Sequence, residues 1–527
     1  AYKIAPEQSK DGFIETLEKS GHDLTINKHF TRARQQYERA LQIDPHRQSS
    51  QDKLAEIRAF ESQLKGVENS NLQPQIIANK TTVKPKRFTV IMKERIAFVA
   101  LTAVVSIFGF GIYQQLSKTC PAGENKQLGV FCVADNGKIS RGERTLFPNI
   151  NNPSRDQGIA AFKNGNYQEA AKLFQQAVTA NPYDPEVLIY YNNARASQNS
   201  SSVSLAVVVP IDSKTNNDNA QEILRGVAQA QDQFNNNQLN NNQGSNGLLL
   251  KVVIANDSNK PEEAKQVVEE IVKDDSILGV IGHNSSDVTE AVIPAYKKAG
   301  LAIISSTATS NLLKNPVFFR VVDSDEIAGK KLAQHTNNLG FKKVVIFNNP
   351  NSTYSKSITK AFTNEFEKIG GKVLLTIDLS DEKFDPREEV ITGIDKFQAE
   401  AAILFPDTEH TNTAIDLTKA NKELNNNSPL GLLGGHTLYS NDTLMKGGKA
   451  VEGMILSVPW FRETSQARAF ADKSGKEWGG GISWRTATSY DATQAFIKAL
   501  SNNSSRTTRS EEHTSELQSR QYLVCRL

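Results

Sequence analysis

The residue types that most often carry chemistry are few in this chain and widely spaced. The three cysteines, Cys120, Cys132 and Cys525, form no CxxC pair, and the eight histidines lie at no spacing typical of a zinc site. The sequence contains no GxxxxGK[ST], HExxH, GxSxG or strand-linked GxGxxG motif. Isolated histidines are more often hydrogen-bonded structural residues than catalytic bases. We therefore predict no enzymatic activity, no metal site and no cofactor.

Ser286 lies at the start of a predicted helix, after a predicted strand. It follows the apolar run ILGVIG (277–282) and opens a predicted helix. The free N–H groups and the dipole at a helix N-terminus favour a carboxylate. A ligand that also carried an ammonium group would need an acceptor nearby. The alternative is that Ser286 is an ordinary helix N-cap with no ligand.

Apolar runs alternate with amphipathic helices from about residue 203 to residue 508. Predicted strands lie at 205–211, 248–254, 277–282, 301–306, 342–347, 372–379 and 401–406. Predicted helices lie at 220–234, 261–273, 288–299, 356–369, 388–397 and 412–424. This alternation is typical of βαβ units and parallel sheets, and two successive series predict two doubly wound lobes. Ligands of such sheets bind beyond the carboxyl ends of the strands. The Asn-rich stretch 235–242 is predicted to be a solvated loop.

One segment has the length and composition of a membrane span. Ile96–Tyr113 contains eighteen residues without a charge, and a helix of that length extends about 27 Å, close to the hydrocarbon thickness of a bilayer. A buried globular helix is the alternative. Only Lys118 follows the span closely, whereas five basic residues precede it: Lys84, Lys86, Arg87, Lys93 and Arg95. This bias predicts a single-pass protein of the inner (plasma) membrane, with residues 1–95 cytoplasmic and the chain beyond 114 outside.

A repeated spacing of small and aromatic residues occurs on each side of this predicted span. Gly, Ala, aromatic, Ala and Pro follow one another at intervals of twelve, four, three and five residues, at Gly21, Ala33, Tyr37, Ala40 and Pro45 and again at Gly158, Ala170, Phe174, Ala177 and Pro182. The pattern resembles the tetratricopeptide repeat, in which small residues let two helices pack closely. Residues 1–65 are predicted to be a fragmentary cytoplasmic repeat, 66–95 a linker and 114–200 an extracytoplasmic repeat segment. The first copy is a protein-docking surface or a spacer. The second is expected to use the helix at 185–197 as a cap.

Two further expectations concern the cysteines and the chain end. Outside the cytoplasm a Cys120–Cys132 disulfide is predicted, with two free buried thiols as the alternative. Residues 509–527 resemble the conceptual translation of a sequencing adapter and are predicted to be an assembly artefact, with a polar tail as the alternative. Cys525 then carries no information. The net charge of +3 is spread along the chain, without a basic stripe, and predicts no nucleic-acid partner.

Several ordered motifs in the α/β region resemble one known family. These are LAVVVPI (205–211), VIGHNSSDVTEAVIPAYKKAGLAIISSTAT (280–309) and FFRVVDSDEIAGK (318–330). They are similar to the type I periplasmic binding proteins, in the branch of the leucine/isoleucine/valine receptors of ABC importers. The repeat, span and receptor together resemble a cyanobacterial type. The resemblance implies that an amino acid binds between the lobes, its carboxylate near Ser286, Thr307 and Thr309 and its ammonium near Asp325.

The second lobe departs from the family pattern at several positions. Tyr354 matches an aromatic residue that often contacts ligand, but His436 stands where an acidic residue commonly meets the ammonium. Asp407 or Glu409 is the candidate replacement for that acid. These departures argue against branched-chain specificity more than against binding, and they predict an amino acid or similar small polar solute. After YDATQAFIKAL (490–500) the family adds strands that close the second lobe, and the loss of that segment here predicts an open sheet edge.

Three functions remain compatible with these features. The first is a membrane-tethered receptor that passes its solute to an ABC permease. The second is a transmembrane sensor that signals through the N-terminal repeat to a cytoplasmic partner. The third is a scaffold that binds no solute. The receptor fold favours transport, and the cytoplasmic repeat favours sensing.

Overall fold

The computed structural model describes Tyr37, Leu41 and residues 47–55, 124–127, 131–134, 137–212, 217–240, 247–424, 429–502 and 523–526. The chain divides into two units, residues 1–103 and 104–527. In the first unit, residues 48–55 are helical, and Leu54 is buried. Ile96–Tyr113, the linker and Cys120 lie outside the described residues, so the membrane span and the disulfide stay predictions. Within the described residues, every helix is too short or too polar to cross a membrane.

Three helices form the repeat of the second unit: α1 (Pro153–Lys163), α2 (Tyr167–Ala180) and α3 (Pro185–Ser197). A Cβ atom at Gly158 would lie 2.6 Å from the ring of Phe174, so only glycine lets α1 and α2 approach this closely. The predicted small-residue positions Ala170 and Ala177 are fully buried beside it. Helix α3 packs on α2 and is the cap that the sequence predicted.

The repeat packs on the first lobe of the α/β module. Its helix α3 contacts helix α4 (Asp218–Asn240) and strand β5 (Leu249–Asn256). The buried Asn193 amide donates to the Val252 carbonyl at 2.7 Å and accepts from the Val252 N–H at 2.8 Å. A strand-like pair of hydrogen bonds therefore joins the last repeat helix to the first sheet.

Lobe 1 is built on one six-stranded sheet. Its strands are β3 (Ile139–Ser140), β4 (Ser202–Val209), β5, β6 (Ile277–Ile281), β7 (Ile303–Ser305) and β8 (Phe318–Arg320), in the order β3-β5-β4-β6-β7-β8. All pairs are parallel except β3 with β5. Helices α4, α5 (Pro261–Lys273) and α6 (Ser286–Ala299) connect the strands. A separate antiparallel pair precedes this sheet, formed by β1 (Glu124–Gln127) and β2 (Phe131–Ala134).

The Asn-rich stretch is not the loop that the sequence predicted, at least in its first part. Helix α4 continues to Asn240. The Asn235 side chain is buried, donating to the Leu250 carbonyl at 3.0 Å and accepting from the Leu250 N–H at 2.8 Å. The carboxamide thus satisfies backbone groups of β5, which a solvated loop could not do.

Lobe 2 contains a second six-stranded sheet in the order β10-β9-β11-β12-β13-β14. Its strands are β9 (Lys343–Asn348), β10 (Lys372–Asp378), β11 (Ala401–Phe405), β12 (Gly431–Gly434), β13 (Ile455–Val458) and β14 (Leu523–Arg526). Its helices are α7 (Asp325–Asn338), α8 (Thr353–Lys368), α9 (Pro386–Ile391), α10 (Thr411–Leu424) and α11 (Asn441–Gly447). The predicted helix at 388–397 is split, because a π-helical turn at Thr392–Lys396 follows α9.

The expected open edge of the second sheet is covered. Strand β14 pairs antiparallel with β13, with Leu456 opposite Cys525 in the backbone register. The expectation of an unpaired β13 edge was therefore wrong, because four residues within 509–527 occupy it. Residues 503–522 lie outside the described part of the chain, so the artefactual origin of this segment stays a prediction.

After β13 the chain returns to lobe 1 through helices α12 (Ser465–Glu477) and α13 (Trp484–Asn502). Helix α13 packs directly on α4, where a Cβ atom at Gly226 would lie 2.2 Å from the Thr486 carbonyl oxygen. The Ser489 hydroxyl bonds the Ser306 hydroxyl at 3.0 Å. Helix α13 is thereby fixed against lobe 1, and its first residues, Trp484 and Arg485, line the cleft between the lobes.

Candidate ligand-binding cleft

A narrow cleft lies between the two lobes, beyond the carboxyl ends of the parallel strands. Lobe 1 contributes the turn that opens α6 and the loop after β7. Lobe 2 contributes the start of α8 and the segments after β11 and β12, and the first residues of α13 complete the lining. The lining residues are Asn284, Ser285, Ser286, Asp287, Thr307, Tyr354, Asp407, Thr408, His436, Thr437, Trp484 and Arg485. Five of the seven predicted ligand-binding residues are among them, and Thr309 and Asp325 are not.

The lobe 1 wall is a hydrogen-bonded turn ahead of helix α6. Ser285 is the N-cap of this helix, accepting from the Val288 N–H at 3.3 Å, and Ser286 is its first residue. The N-cap of this helix is therefore Ser285, one residue before Ser286. The Ser286 oxygen accepts from the Ser310 N–H at 3.3 Å, and its proton can still be donated to a ligand. The Thr307 hydroxyl donates to the Asn284 carbonyl at 2.8 Å, which ties the two loops together.

A buried histidine supports this turn from behind. His283 lies in hydrogen-bonding distance of the Asp257 carboxylate through Nδ1, at 2.7 Å, and of the Tyr296 hydroxyl through Nε2, at 3.0 Å. All three side chains are fully buried. Both ring nitrogens are engaged in the interior, so His283 positions the turn and does not face a ligand.

Asp325 carries a buried carboxylate that makes no hydrogen bond of normal geometry to the described part of the chain. Its N–H donates to the Thr309 carbonyl at 2.9 Å, which fixes the start of α7 against the loop after β7. Neither carboxylate oxygen, nor the Thr309 hydroxyl, has a partner among the described residues. Burial raises the pKa of Asp325 to about 7, and the nearby Thr309 and Ser357 hydroxyls and Arg320 only partly oppose the rise. Burying a carboxylate destabilises the folded state unless an opposite charge or a hydrogen-bond donor pairs with it.

Tyr354 stands next to this carboxylate and also has an unsatisfied polar atom. Its hydroxyl is buried without a partner in the described part of the chain. Burial, and then the charge of Asp325, raise its pKa well above the usual range. A Cβ atom at Gly435 would lie 2.0 Å from the Tyr354 oxygen, so the last glycine of GLLGG makes the space for the phenol. The sequence signal for this space is the Gly434-Gly435 pair.

His436 is packed between two aromatic rings in the lobe 2 wall. Its ring centroid lies 4.7 Å from that of Tyr354 and 5.1 Å from that of Trp484, both in edge-on geometry. Burial, with a contribution from the positive charge of Arg485, lowers its pKa to about 3. The imidazole is therefore neutral at physiological pH and contributes a polar ring, not a charge.

Asp407 differs from Asp325 because its oxygens have partners. They accept from the Asn349 amide at 2.5 Å and from the His410 backbone N–H at 2.9 Å, and Nδ1 of His410 lies at 2.7 Å. Glu409 lies outside the cleft lining and donates its N–H to the same carboxylate. Of the acidic candidates, Asp325 is the carboxylate with unmet hydrogen-bonding capacity.

Trp484 and Arg485, which complete the cleft, were not predicted from the sequence. The Arg485 guanidinium lies 4.6 Å over the Trp484 ring and bonds Glu222 and the Tyr439 carbonyl, each at 3.3 Å. The only sequence signal is a Gly-rich stretch, 479–481, ahead of the helix that they begin. Glu222 is more than 260 residues away, and no local pattern reveals such a partner.

The two lobes touch directly across the cleft. The Asp287 carboxylate accepts from the Thr353 N–H at 2.6 Å and from the Ser352 hydroxyl at 2.9 Å. The Asn259 amide donates to the Thr408 hydroxyl at 2.8 Å. The bonds of Asp287 join the start of α6 to the start of α8, and the bond of Asn259 joins the segments after β5 and β11. Together they hold the lobes in a closed arrangement through polar contacts.

The fold and the cleft define a two-lobed solute-binding protein. The family model of the periplasmic binding proteins matches residues 202–522, and that of the tetratricopeptide repeat matches residues 155–184. The chain therefore belongs to the periplasmic binding protein family, whose members bind solutes and are not enzymes. The first match extends past the predicted domain boundary at 508. The second confirms the tetratricopeptide-like repeat that was predicted at Gly158–Pro182.

Part of the chain is similar in sequence to a known amino acid binding protein. An amino acid binding protein of Pseudomonas aeruginosa is 27% identical over 159 residues, which cover 29% of this chain and 41% of that protein. The matched region thus spans less than half of this relative. The cyanobacterial type stays a prediction.

Solved structures share the fold. A leucine-binding protein of Thermotoga maritima has 19% identity and a TM-score of 0.51, covering 59% of this chain and 86% of its own. A branched-chain amino acid transporter substrate-binding protein of Streptococcus pneumoniae, in complex with isoleucine, has 19% identity and the same TM-score, covering 59% and 87%.

Proposed function

We propose that this protein is a membrane-tethered, extracytoplasmic receptor that binds an amino acid or a similar small polar solute and feeds an ABC importer. The family assignment and the cleft between the lobes support solute binding. The observation that carries the amino-acid part is the buried Asp325 carboxylate, both of whose oxygens lack a partner among the described groups. An ammonium group is the ligand chemistry that best relieves such a carboxylate.

In this proposal a zwitterion bridges the two loops of the lobe 1 wall and the start of α7. Its ammonium group meets Asp325, with the unsatisfied hydroxyls of Tyr354 and Thr309 as further partners. Its carboxylate meets the Ser286 hydroxyl, backbone groups near Thr307 and the N-terminus of α6, where the helix dipole favours negative charge. Opening of the lobes gives the solute access to groups that are buried in the closed arrangement.

The remaining two predicted contacts have secondary roles. Neutral His436 lies against the solute as part of an aromatic wall, in line with its contacts to Tyr354 and Trp484. Asp407 holds the loop after β11 in place, since its oxygens already accept several hydrogen bonds.

The location outside the cytoplasm is supported by the family, whose members are periplasmic, and by the charge bias around Ile96–Tyr113. That segment serves as the tether in this proposal, and the Cys120–Cys132 disulfide closes the loop that follows it. A transmembrane sensor is the second candidate, because a repeat pattern at Gly21–Pro45 precedes the tether. A cytoplasmic signalling partner would then replace the ABC permease, and a scaffold that binds nothing is the third possibility.

A thermal-shift screen of the full chain against amino acids, amides and urea-like solutes tests the binding proposal. A solute present at a hundred times its Kd stabilises the folded state by about 2.7 kcal/mol, which raises the melting temperature by several degrees. Amino acids should produce this shift and uncharged solutes should not. If no solute in the panel shifts the transition, the scaffold alternative is correct.

A further inference from the structure

Two buried N–H donors at the start of helix α13 have no acceptor in the described part of the chain. They are Nε1 of Trp484 and Nε of Arg485. The two residues are only 1% and 4% exposed, and both line the cleft between the lobes. Buried donors are almost always paired in folded proteins, so two adjacent exceptions at a binding cleft point to a missing acceptor.

The rest of this pair is firmly held. The Arg485 Nη1 atom donates to Glu222 and to the Tyr439 carbonyl, and the guanidinium stacks on the Trp484 indole. Trp484 in turn packs against His436. Groups fixed in this way are pre-organised, so an acceptor that reaches them binds with little loss of side-chain entropy.

The charge of the pair is largely compensated. Glu222 lies 3.3 Å from the guanidinium, so the subsite does not require a full negative charge to balance Arg485. What it requires is an oxygen that can accept hydrogen bonds from the two unpaired N–H groups. The N-terminus of α13 at Trp484 favours the partial negative charge of such an oxygen.

We infer that the side chain of the bound amino acid ends in an oxygen acceptor, an amide or a carboxylate, which binds Trp484 and Arg485. This inference rests on the proposed function, in which the amino-acid head group occupies Asp325 and Ser286. An aliphatic side chain would leave both donors unpaired, and sites built for hydrogen bonding reject analogues that lack the bonding group.

The first test compares three probes, L-glutamine, L-glutamate and L-leucine, by calorimetry on the full chain. Glutamine or glutamate should bind at least about a hundredfold more tightly than leucine, and the order of the first two identifies amide or carboxylate. Leucine binding as tightly as both would overturn the inference and leave the proposed function standing. Binding of no amino acid would refute the proposed function itself, and the inference with it.

The second test removes one donor. Trp484→Phe keeps an aromatic ring but lacks the N–H, so glutamine or glutamate affinity should fall about tenfold while leucine affinity stays within about twofold. Trp460→Phe is the matched control, because Trp460 is buried beside Phe470 and lies outside the cleft lining. An equal loss for all three probes in Trp484→Phe would assign the indole a packing role only and contradict the inference. If this variant fails to fold, the probe comparison on the parent chain still decides the question.

Discussion

Replacement of Asp325 by Asn is expected to have opposite effects on stability and on binding. In the ligand-free protein, burial raises the pKa of this carboxyl group from 3.8 to about 7. The folded state therefore binds a proton more tightly than the unfolded state between these two values. Stability contributed by this group is present below about pH 4, is lost as the pH rises towards 7, and stays lost above it. A shift of about three units corresponds to about 4 kcal/mol.

Asp325→Asn removes this titration while keeping the shape of the side chain. The variant still buries an amide with unmet hydrogen-bonding capacity, which offsets part of the gain by about 1–3 kcal/mol. We therefore expect the ligand-free variant to be more stable than the parent at pH 8, by about 1–3 kcal/mol, and no more stable than the parent at pH 4. Urea unfolding of both proteins at pH 4, 6 and 8 measures the difference.

Binding should change in the other direction. Loss of a charge-assisted hydrogen bond to an ammonium group costs about 1.5–3 kcal/mol, so affinity for the amino acid should fall by about ten- to a hundredfold. The control is Asp416→Asn, on an exposed stretch of α10 where the carboxylate pairs with Lys419, and it should change neither quantity. If Asp325→Asn binds as tightly as the parent, the ammonium does not meet Asp325. If its relative stability does not depend on pH, the carboxylate is not buried as described.

Three further outcomes follow from the same structure. Gly435→Ala places a methyl group 2.0 Å from the Tyr354 oxygen, so Tyr354 must move and solute affinity measured by calorimetry should fall at least about tenfold. An unchanged affinity would show that Tyr354 makes no contact. Burial raises the pKa of Glu186 to about 7, so the free energy of unfolding of the parent protein should fall between pH 4.5 and 7. In Glu186→Gln this fall should be smaller, by up to about 3 kcal/mol. An unaltered pH dependence of the unfolding free energy would contradict the burial of this carboxyl group. Protease should reach tags in residues 115–508 but not in 1–95 once the outer membrane is permeabilised, and the reverse pattern would overturn the topology.

The alternation of strands and helices could be predicted because local sequence patterns indicate it. The expected strand at 401–406 is β11, Ala401–Phe405, and that at 277–282 is β6, Ile277–Ile281. All five residues of β11 and four of the five residues of β6 are buried in a parallel sheet, and burial on both faces removes any need for polar alternation. Periodicity and turn residues therefore sufficed for these two strands, within one residue.

The end of helix α4 and the edge of the second sheet could not be predicted in this way. Asn235 is helical because its amide satisfies the backbone of Leu250, and polar composition alone favoured a loop. The pairing of Leu523–Arg526 with β13 depends on a partner about seventy residues earlier in the chain. In both cases tertiary contacts determine the secondary structure and override local propensity.

The candidate site was only partly accessible from the sequence, for a related reason. Asp325 and Asp407 are both acidic residues near strand ends, and nothing local distinguishes them. The structure does, because Asp407 is satisfied by its own loop and Asp325 is not. Similarly, Arg485 is held by Glu222 from another part of the chain. Unmet hydrogen-bonding capacity is a property of the assembled fold, and it is the property that marks a site awaiting a ligand.

The way the repeat is attached bears on the choice between transport and sensing. Buried hydrogen bonds from Asn193 to Val252, and the packing of α3 on α4, join the repeat to lobe 1. The contacts between the lobes are instead polar bonds such as that of Asp287 with Thr353, which water can replace when the cleft opens. Lobe 2 is therefore the part expected to move, while the repeat moves with lobe 1. A repeat that follows lobe 1 rigidly cannot itself report closure, so a sensor would need a partner that contacts lobe 2. A permease that recognises both lobes meets that requirement directly, which favours the receptor role.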